Sequence, residues 1–124
     1  MTQDRKQKPR ALVVDDEPDI RELLGITLGR MQFDVETAGD QASALRRLGA
    51  GHYDVVLTDM RLPDGDGGQL YLELKARDPD PPPFIFITGY GTIERAVDLL
   101  KAGADDYVTK PFDLDRLVEK VREV

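Results

Sequence analysis

A doubly wound α/β fold, with five parallel strands each followed by a helix, is the fold class that this sequence predicts. Three observations carry it. Five short apolar runs alternate with five longer stretches of helical period. The runs are apolar along their length, as strands covered on both faces are, and right-handed crossovers between parallel strands supply that cover. The length, 124 residues, suits one hydrophobic core.

The first run is "ALVV" with Asp15 and Asp16 behind it. A helix is expected from Glu17 to Met31, with Ile20, Leu23, Leu24, Thr27 and Leu28 on one stripe. Pro18 fits its first turn, where a missing N–H costs no intrahelical bond. "DVETA" reads as the second strand, and Asp40 is placed to cap a helix holding Ala44, Leu45 and Leu48, which Gly49 and Gly51 close. The third strand is "YDVVLTD", and a helix from about Gly67 to Arg77 follows its loop.

"DPDPPP" is too rich in proline for a helix or central strand and reads as an extended connection. "FIFIT" is the fourth strand. After "GYG" comes a helix from about Thr92 to Ala102, with Ile93, Ala96, Val97 and Leu100 inward. "DYVTK" is the fifth strand, and "DLDRLVEKVREV" the fifth helix, capped by Asp113.

Composition narrows the function. Hydrophobic residues make up 40% of the chain and charged residues 33%, and no apolar run approaches the ~20 residues of a spanning helix, so a soluble protein with no membrane contact is expected. "MTQDRKQKPR" lacks the apolar stretch of a secretory signal, which makes a cytoplasmic location the expectation. Residues 1–9 read as a flexible tail and 10–124 as the domain. Without cysteine, and with His52 as the single histidine, thiolate and multi-histidine metal sites are excluded. His52 itself reads as a solvated loop residue. A formal charge of −7 opposes direct nucleic-acid binding by this chain.

In open parallel sheets, ligands sit beyond the carboxyl ends of the strands. The residues there are Asp15 and Asp16 after the first strand, Asp59 on the third, Thr88 on the fourth and Lys110 on the fifth. Each alone has a plain reading as a cap, turn acid, loop hydroxyl or solvated charge. Together, three carboxylates at one edge repel one another unless a cation joins them, and oxygen ligands suit a hard divalent ion such as Mg2+ or Mn2+. A lysine and a hydroxyl alongside suit a phosphoryl group, with a carboxylate as its nucleophile. This is aspartyl-phosphate chemistry.

"VVDDE", "LTDMRLPDGDG", "ITGYG" and "DDYVTKPF", in that order from about Arg10 onward, resemble the receiver domain of bacterial two-component response regulators, a flavodoxin-like fold. The resemblance implies strand order 2-1-3-4-5 and Asp59 as the phosphoacceptor. It implies magnesium held by Asp15, Asp16, Asp59 and the backbone carbonyl of Arg61, with Thr88 and Lys110 on the phosphoryl group. Tyr107 would be the aromatic that moves when Thr88 does, and the Lys110–Pro111 bond would be cis. The implied donor is a sensor histidine kinase. The implied output face is the fourth helix, fifth strand and fifth helix, docking an output domain or partner protein, with a homodimer possible on phosphorylation. "TGYGTIERAVDLLKAGADDYVTKPF" with "LTDMRLPDG" resembles NtrC-type transcriptional regulators, which activate sigma-54 promoters.

Arg61 and Tyr90 stand two residues after Asp59 and Thr88, at the entrance that the resemblance assigns to attacking water, and are expected to slow hydrolysis of the acyl phosphate. The glycines of "DGDG" read as turn formers. Three alternatives are disfavoured. A haloacid-dehalogenase-like phosphatase would carry its nucleophile after the first strand, and a flavodoxin-like nucleotide-binding module would want glycines where "DDEPD" stands. A pseudo-receiver acting only as a binding surface would not take up phosphate.

Overall fold

Parallel strands that are apolar along their length must be covered on both faces, and among the described residues five helices cover them. The computed structural model describes residues 8–89, 91–111 and 113–124. The elements are β1 (Arg10–Val14), α1 (Pro18–Arg30), β2 (Asp34–Ala38), α2 (Gln41–Ala50), β3 (Val55–Asp59), α3 (Gly67–Arg77), β4 (Phe84–Thr88), α4 (Ile93–Lys101), β5 (Asp106–Thr109) and α5 (Leu114–Glu123). Arg61–Leu62 and Gly65–Asp66 pair as a small antiparallel ladder between β3 and α3. The five long strands form one sheet in the order 2-1-3-4-5, every pair parallel.

Side chains alternate across a strand with a period of two, so each strand feeds two cores. Leu12, Val14, Val56, Phe84 and Phe86 point to one face, where they pack with Ala44 of α2, Leu70, Tyr71 and Leu74 of α3, and Leu99 of α4. Tyr71 meets Phe84 and Phe86 edge-on, with ring centroids 5.1 and 6.1 Å apart. Ala11, Val13, Val55, Leu57, Ile85 and Ile87 point to the other face, against Leu24 and Leu28 of α1 and Leu117 and Val121 of α5.

The expected caps form. Asp40 accepts from Ser43 N at 2.7 Å, Asp113 accepts from Asp115 N at 3.0 Å, and Pro18 opens α1. Two helical stripes differ from expectation. Leu23 is exposed, because Leu24 and Leu28, four residues apart, take the sheet-facing line of α1. On α4 the buried pair is Ala96 and Leu99, whereas Ile93, Val97 and Leu100 are half-buried. Leu99 comes so close to Gly68 of α3 that a Cβ there would lie 2.8 Å from it, so contact with the neighbouring helix turns the buried line by one residue. The segment 78–83 connects α3 to β4 without helix or strand, as its prolines require. His52 is exposed. No helix among the described residues is long and apolar enough to cross a membrane.

Candidate functional site at the carboxyl edge of the sheet

Parallel strands end at the same edge, and here four of them deliver polar side chains to it. Asp15 follows β1 and is fully buried; its N–H donates to Ala38 O at 3.0 Å, and its Oδ1 accepts from Glu17 N at 2.9 Å. Asp59 ends β3 in register with Ile87, its side chain 13% exposed, and Oδ1 accepts from Arg61 N at 3.2 Å. Thr88 ends β4, fully buried. Lys110 follows β5, and its N–H donates to Thr88 O at 2.8 Å, so the sheet ladder carries it to the edge. From there its Nζ reaches Asp59 Oδ2 at 3.0 Å, Glu17 Oε1 at 3.3 Å and Asp15 Oδ2 at 3.5 Å. The Lys110–Pro111 peptide bond is cis.

This crowding shifts proton affinities. Burial pushes the Asp15 carboxyl up, and the nearby Asp59 charge adds to that, against the Glu17 N–H and Lys110. Burial alone would lower the Lys110 ammonium. Its hydrogen bond to Asp59, the Asp59 and Asp15 charges and the Glu17 contact outweigh burial, so Lys110 is raised and stays charged at neutral pH.

The carboxylates of Asp15, Asp16 and Glu17 offer ligand atoms that all lie within 4.8 Å of one another. All are oxygens, and one belongs to a buried acid already strained by its charge, which fits a hard divalent cation. Of the expected set of Asp15, Asp16, Asp59 and the Arg61 carbonyl, the first two lie in this cluster together with Glu17, while Asp59 Oδ2 meets Lys110. In the sequence Glu17 stands as the third acid of "DDE", where helical periodicity marks it only as the start of a helix.

A cavity of about 160 Å³ opens beside Asp59 and is lined by Arg61, Gly89, Thr92 and Lys110. Arg61 is exposed at its rim, with its guanidinium close to Gly91. Tyr90, expected as its companion, lies outside the described residues, as does most of the expected tail at 1–9. Tyr107 is half-buried against the core and pairs in register with Phe86, two residues before Thr88.

The loop after Asp59 is more tightly built than a run of turn formers. Asp64 accepts from Gln41 N at 2.7 Å and from Ala42 N at 3.0 Å, clasping the first turn of α2. The Gln41 side chain accepts from Asp66 N at 3.2 Å, and Asp66 caps α3 through Gln69 N at 2.6 Å. At Gly67 a Cβ would lie 2.5 Å from the Asp59 carbonyl oxygen, so this glycine is required by close approach. Local patterns signal the turn but not these long-range bonds, and the sequence marks Thr92 only as the start of a helix.

Residues 11–122 match the family described as the response regulator receiver domain. The chain is 51% identical over 114 residues to response regulator protein PilR of Pseudomonas aeruginosa, covering 92% of this chain and 25% of that protein. It is 40% identical over 108 residues to regulatory protein AtoC of Escherichia coli, covering 87% of this chain and 23% of the relative. It therefore spans about a quarter of the length of these relatives. Among solved structures, response regulator protein TrrA of Thermotoga maritima, crystallised in complex with Mg(2+)-BeF, superposes with a TM-score of 0.82 at 37% identity. The match covers 93% of this chain and 97% of that one.

Proposed function

The chain belongs to the response regulator receiver domain family, and on that premise we propose that Asp59 is the residue that takes the phosphoryl group, from a phosphohistidine on a sensor histidine kinase. The observation that carries the assignment is the Lys110 ammonium 3.0 Å from Asp59 Oδ2, at the sheet edge where Asp15, Asp16 and Glu17 cluster. A carboxylate oxygen of Asp59 attacks phosphorus, the P–N bond breaks, and the imidazole leaves with the bonding electron pair. Lys110 neutralises charge on the phosphoryl oxygens, and the Thr88 hydroxyl donates to one of them. Mg2+, or Mn2+, held by Asp15 and Asp16 with Asp59 and the Arg61 carbonyl, supplies further charge neutralisation when bound. The domain is a regulatory phosphoacceptor, with no turnover beyond its own phosphorylation and dephosphorylation.

The product carries close to two negative charges and three acceptor oxygens. Thr88 and Lys110 are drawn toward it, Tyr107 follows, and the face of α4, β5 and α5 changes shape. Taking such a switch from 1:99 to 99:1 requires about 5.5 kcal/mol of differential stabilisation. The changed face docks an output domain or partner protein, and can pair with a second copy. The likeness to PilR and AtoC supports an NtrC-type transcriptional output in the cytoplasm, with DNA contacts made outside these acidic residues. Residues 10–124 form the domain.

Arg61 at the cavity rim, with Tyr90, slows hydrolysis by screening the acyl phosphate. Arg61→Asn with Tyr90→Ala is expected to shorten its lifetime, and an unchanged decay rate would refute the screening role. The central test is intact-mass spectrometry after incubation with acetyl phosphate. A magnesium-dependent gain of one phosphoryl group, labile to hydroxylamine and absent in Asp59→Asn, is expected. No gain under any condition would leave the domain a binding surface only.

A further inference from the structure

The Thr88 hydroxyl, assigned above to a phosphoryl oxygen, is already engaged. Its Oγ1 is in hydrogen-bond contact with Thr92 Oγ1 and lies 3.3 Å from Gly89 O, and Thr92 Oγ1 lies 3.1 Å from the same carbonyl. A threonine hydroxyl has one proton to donate. The approach to Gly89 O is shorter from Thr92 than from Thr88, which favours Thr92 as the donor there and Thr88 as the donor to Thr92. In that arrangement the one proton that Thr88 can offer a phosphoryl group is engaged by another side chain.

Thr92 is unusual in a second respect. It stands at the N-cap of α4, where a threonine side chain ordinarily accepts from the first free N–H groups of the helix. It makes no such bond; its φ of −125° and ψ of 1° aim the hydroxyl back at Thr88 and Gly89. By contrast α2, α3 and α5 are each capped by an aspartate. Thr92 also lines the cavity beside Asp59 and Lys110. The end of β4 and the start of α4 are thus joined by a hydroxyl pair at the reacting edge.

We propose that Thr92 is a positioning residue which holds the Thr88 proton in the unphosphorylated protein. Transfer of that proton's hydrogen bond to the phosphoryl group and release of the α4 N-terminus are then a single event. The phosphoryl oxygen takes the Thr88 donor, Thr92 loses its partner, and its freed hydroxyl can turn to cap α4. The inference rests on the phosphoacceptor reading, and deepens it by naming what the phosphoryl group must displace.

Beryllofluoride with magnesium serves as the phosphoryl mimic, and its affinity is read by titrating the backbone amide signals of Asp59 and Gly89. Thr92→Val keeps the shape and removes the hydroxyl, so the unliganded state loses a bond that the liganded state does not use. Its affinity is expected to rise about fivefold, the size of one ordinary hydrogen bond. Thr92→Ser is expected to match wild type, and the gain is expected to vanish in a Thr88→Ala background. In the free proteins, the Thr88 Cβ signal should move in Thr92→Val and not in Thr92→Ser. An affinity in Thr92→Val equal to or below wild type, or a gain that survives Thr88→Ala, overturns the inference alone. A wild-type protein that binds no beryllofluoride overturns the phosphoacceptor reading and the inference with it.

Discussion

The same substitution at two glycines is expected to act with opposite signs. Gly25 lies within α1, and a Cβ there meets nothing within 4 Å; Gly67 opens α3, and a Cβ there would lie 2.5 Å from Asp59 O, 2.9 Å from Thr58 Cγ2 and 3.0 Å from Thr58 Oγ1. Both Gly→Ala changes reduce the freedom of the unfolded chain by a similar amount, about 0.4–1 kcal/mol. At Gly25 nothing opposes that gain, and better helix propensity brings the expected stabilisation to ~0.8 kcal/mol. At Gly67 the new methyl sits well inside the ~3.3 Å at which carbon and carbonyl oxygen ordinarily touch. The neighbour is backbone of β3, pinned by the sheet, and Gly67 N itself donates to Met60 O at 3.0 Å, so neither side yields freely. Overpacking of this kind costs about 1–3 kcal/mol, leaving Gly67→Ala roughly 1–2 kcal/mol less stable than wild type. Urea unfolding of both variants measures the difference directly, and phosphoryl uptake should slow only in Gly67→Ala, because the strain falls on Asp59. A Gly67→Ala protein as stable as wild type would refute the close-approach argument.

Asp64→Ala removes both acceptors that clasp the first turn of α2, and should cost about 1–2 kcal/mol with faster amide exchange at Gln41 and Ala42. Unchanged exchange at those amides would show the clasp to be dispensable. Tyr53→Phe removes a 2.6 Å bond to Glu36 and should cost about 1–2 kcal/mol at neutral pH. That bond, followed by the one from Arg10, holds the Glu36 carboxyl below its usual range. Its contribution is therefore complete above the ordinary carboxylate pKa of about 4.3 and is lost as pH falls through the depressed folded value. The stability gap between wild type and Tyr53→Phe should narrow in acid, and a gap constant from neutral pH downward would refute the linkage.

The fold was legible because its signals are local and repeated. Apolar runs such as "FIFIT" name buried strands by themselves, and Asp40, Asp113 and Pro18 mark helix starts through chemistry within one turn. Strand order is not local, and came from the family resemblance. Legibility failed where a second element intervenes. Leu99 rather than Leu100 is buried on α4 because α3 lies beside it, a relation that helical periodicity does not contain. The same holds at the site. Its residues stand out as polar ends of apolar strands, but the partner of each is set by the sheet: Asp59 faces Lys110, 51 positions away, while Glu17 completes the acidic cluster.

That pairing gives magnesium a measurable effect without any phosphate. Asp15 is fully buried and its carboxyl is pushed up by burial, so the ionised form is costly there. Lys110 relieves part of that cost but divides its ammonium among Asp15, Glu17 and Asp59. The divalent ion proposed at Asp15 and Asp16 would relieve the remainder in the folded chain, because unfolding disperses those oxygens. At ten times its dissociation constant it should stabilise the fold by about 1.4 kcal/mol. For a domain of this size that is a rise of roughly 4–8 °C in melting temperature. Asp15→Asn, which removes the buried charge, should be less sensitive to the ion. Because screening alone weakens exposed repulsion, the control is sodium chloride at equal ionic strength. Equal shifts from the two salts, or an equal magnesium response in Asp15→Asn, would show that the carboxylates gather no ion and that Lys110 alone balances the edge.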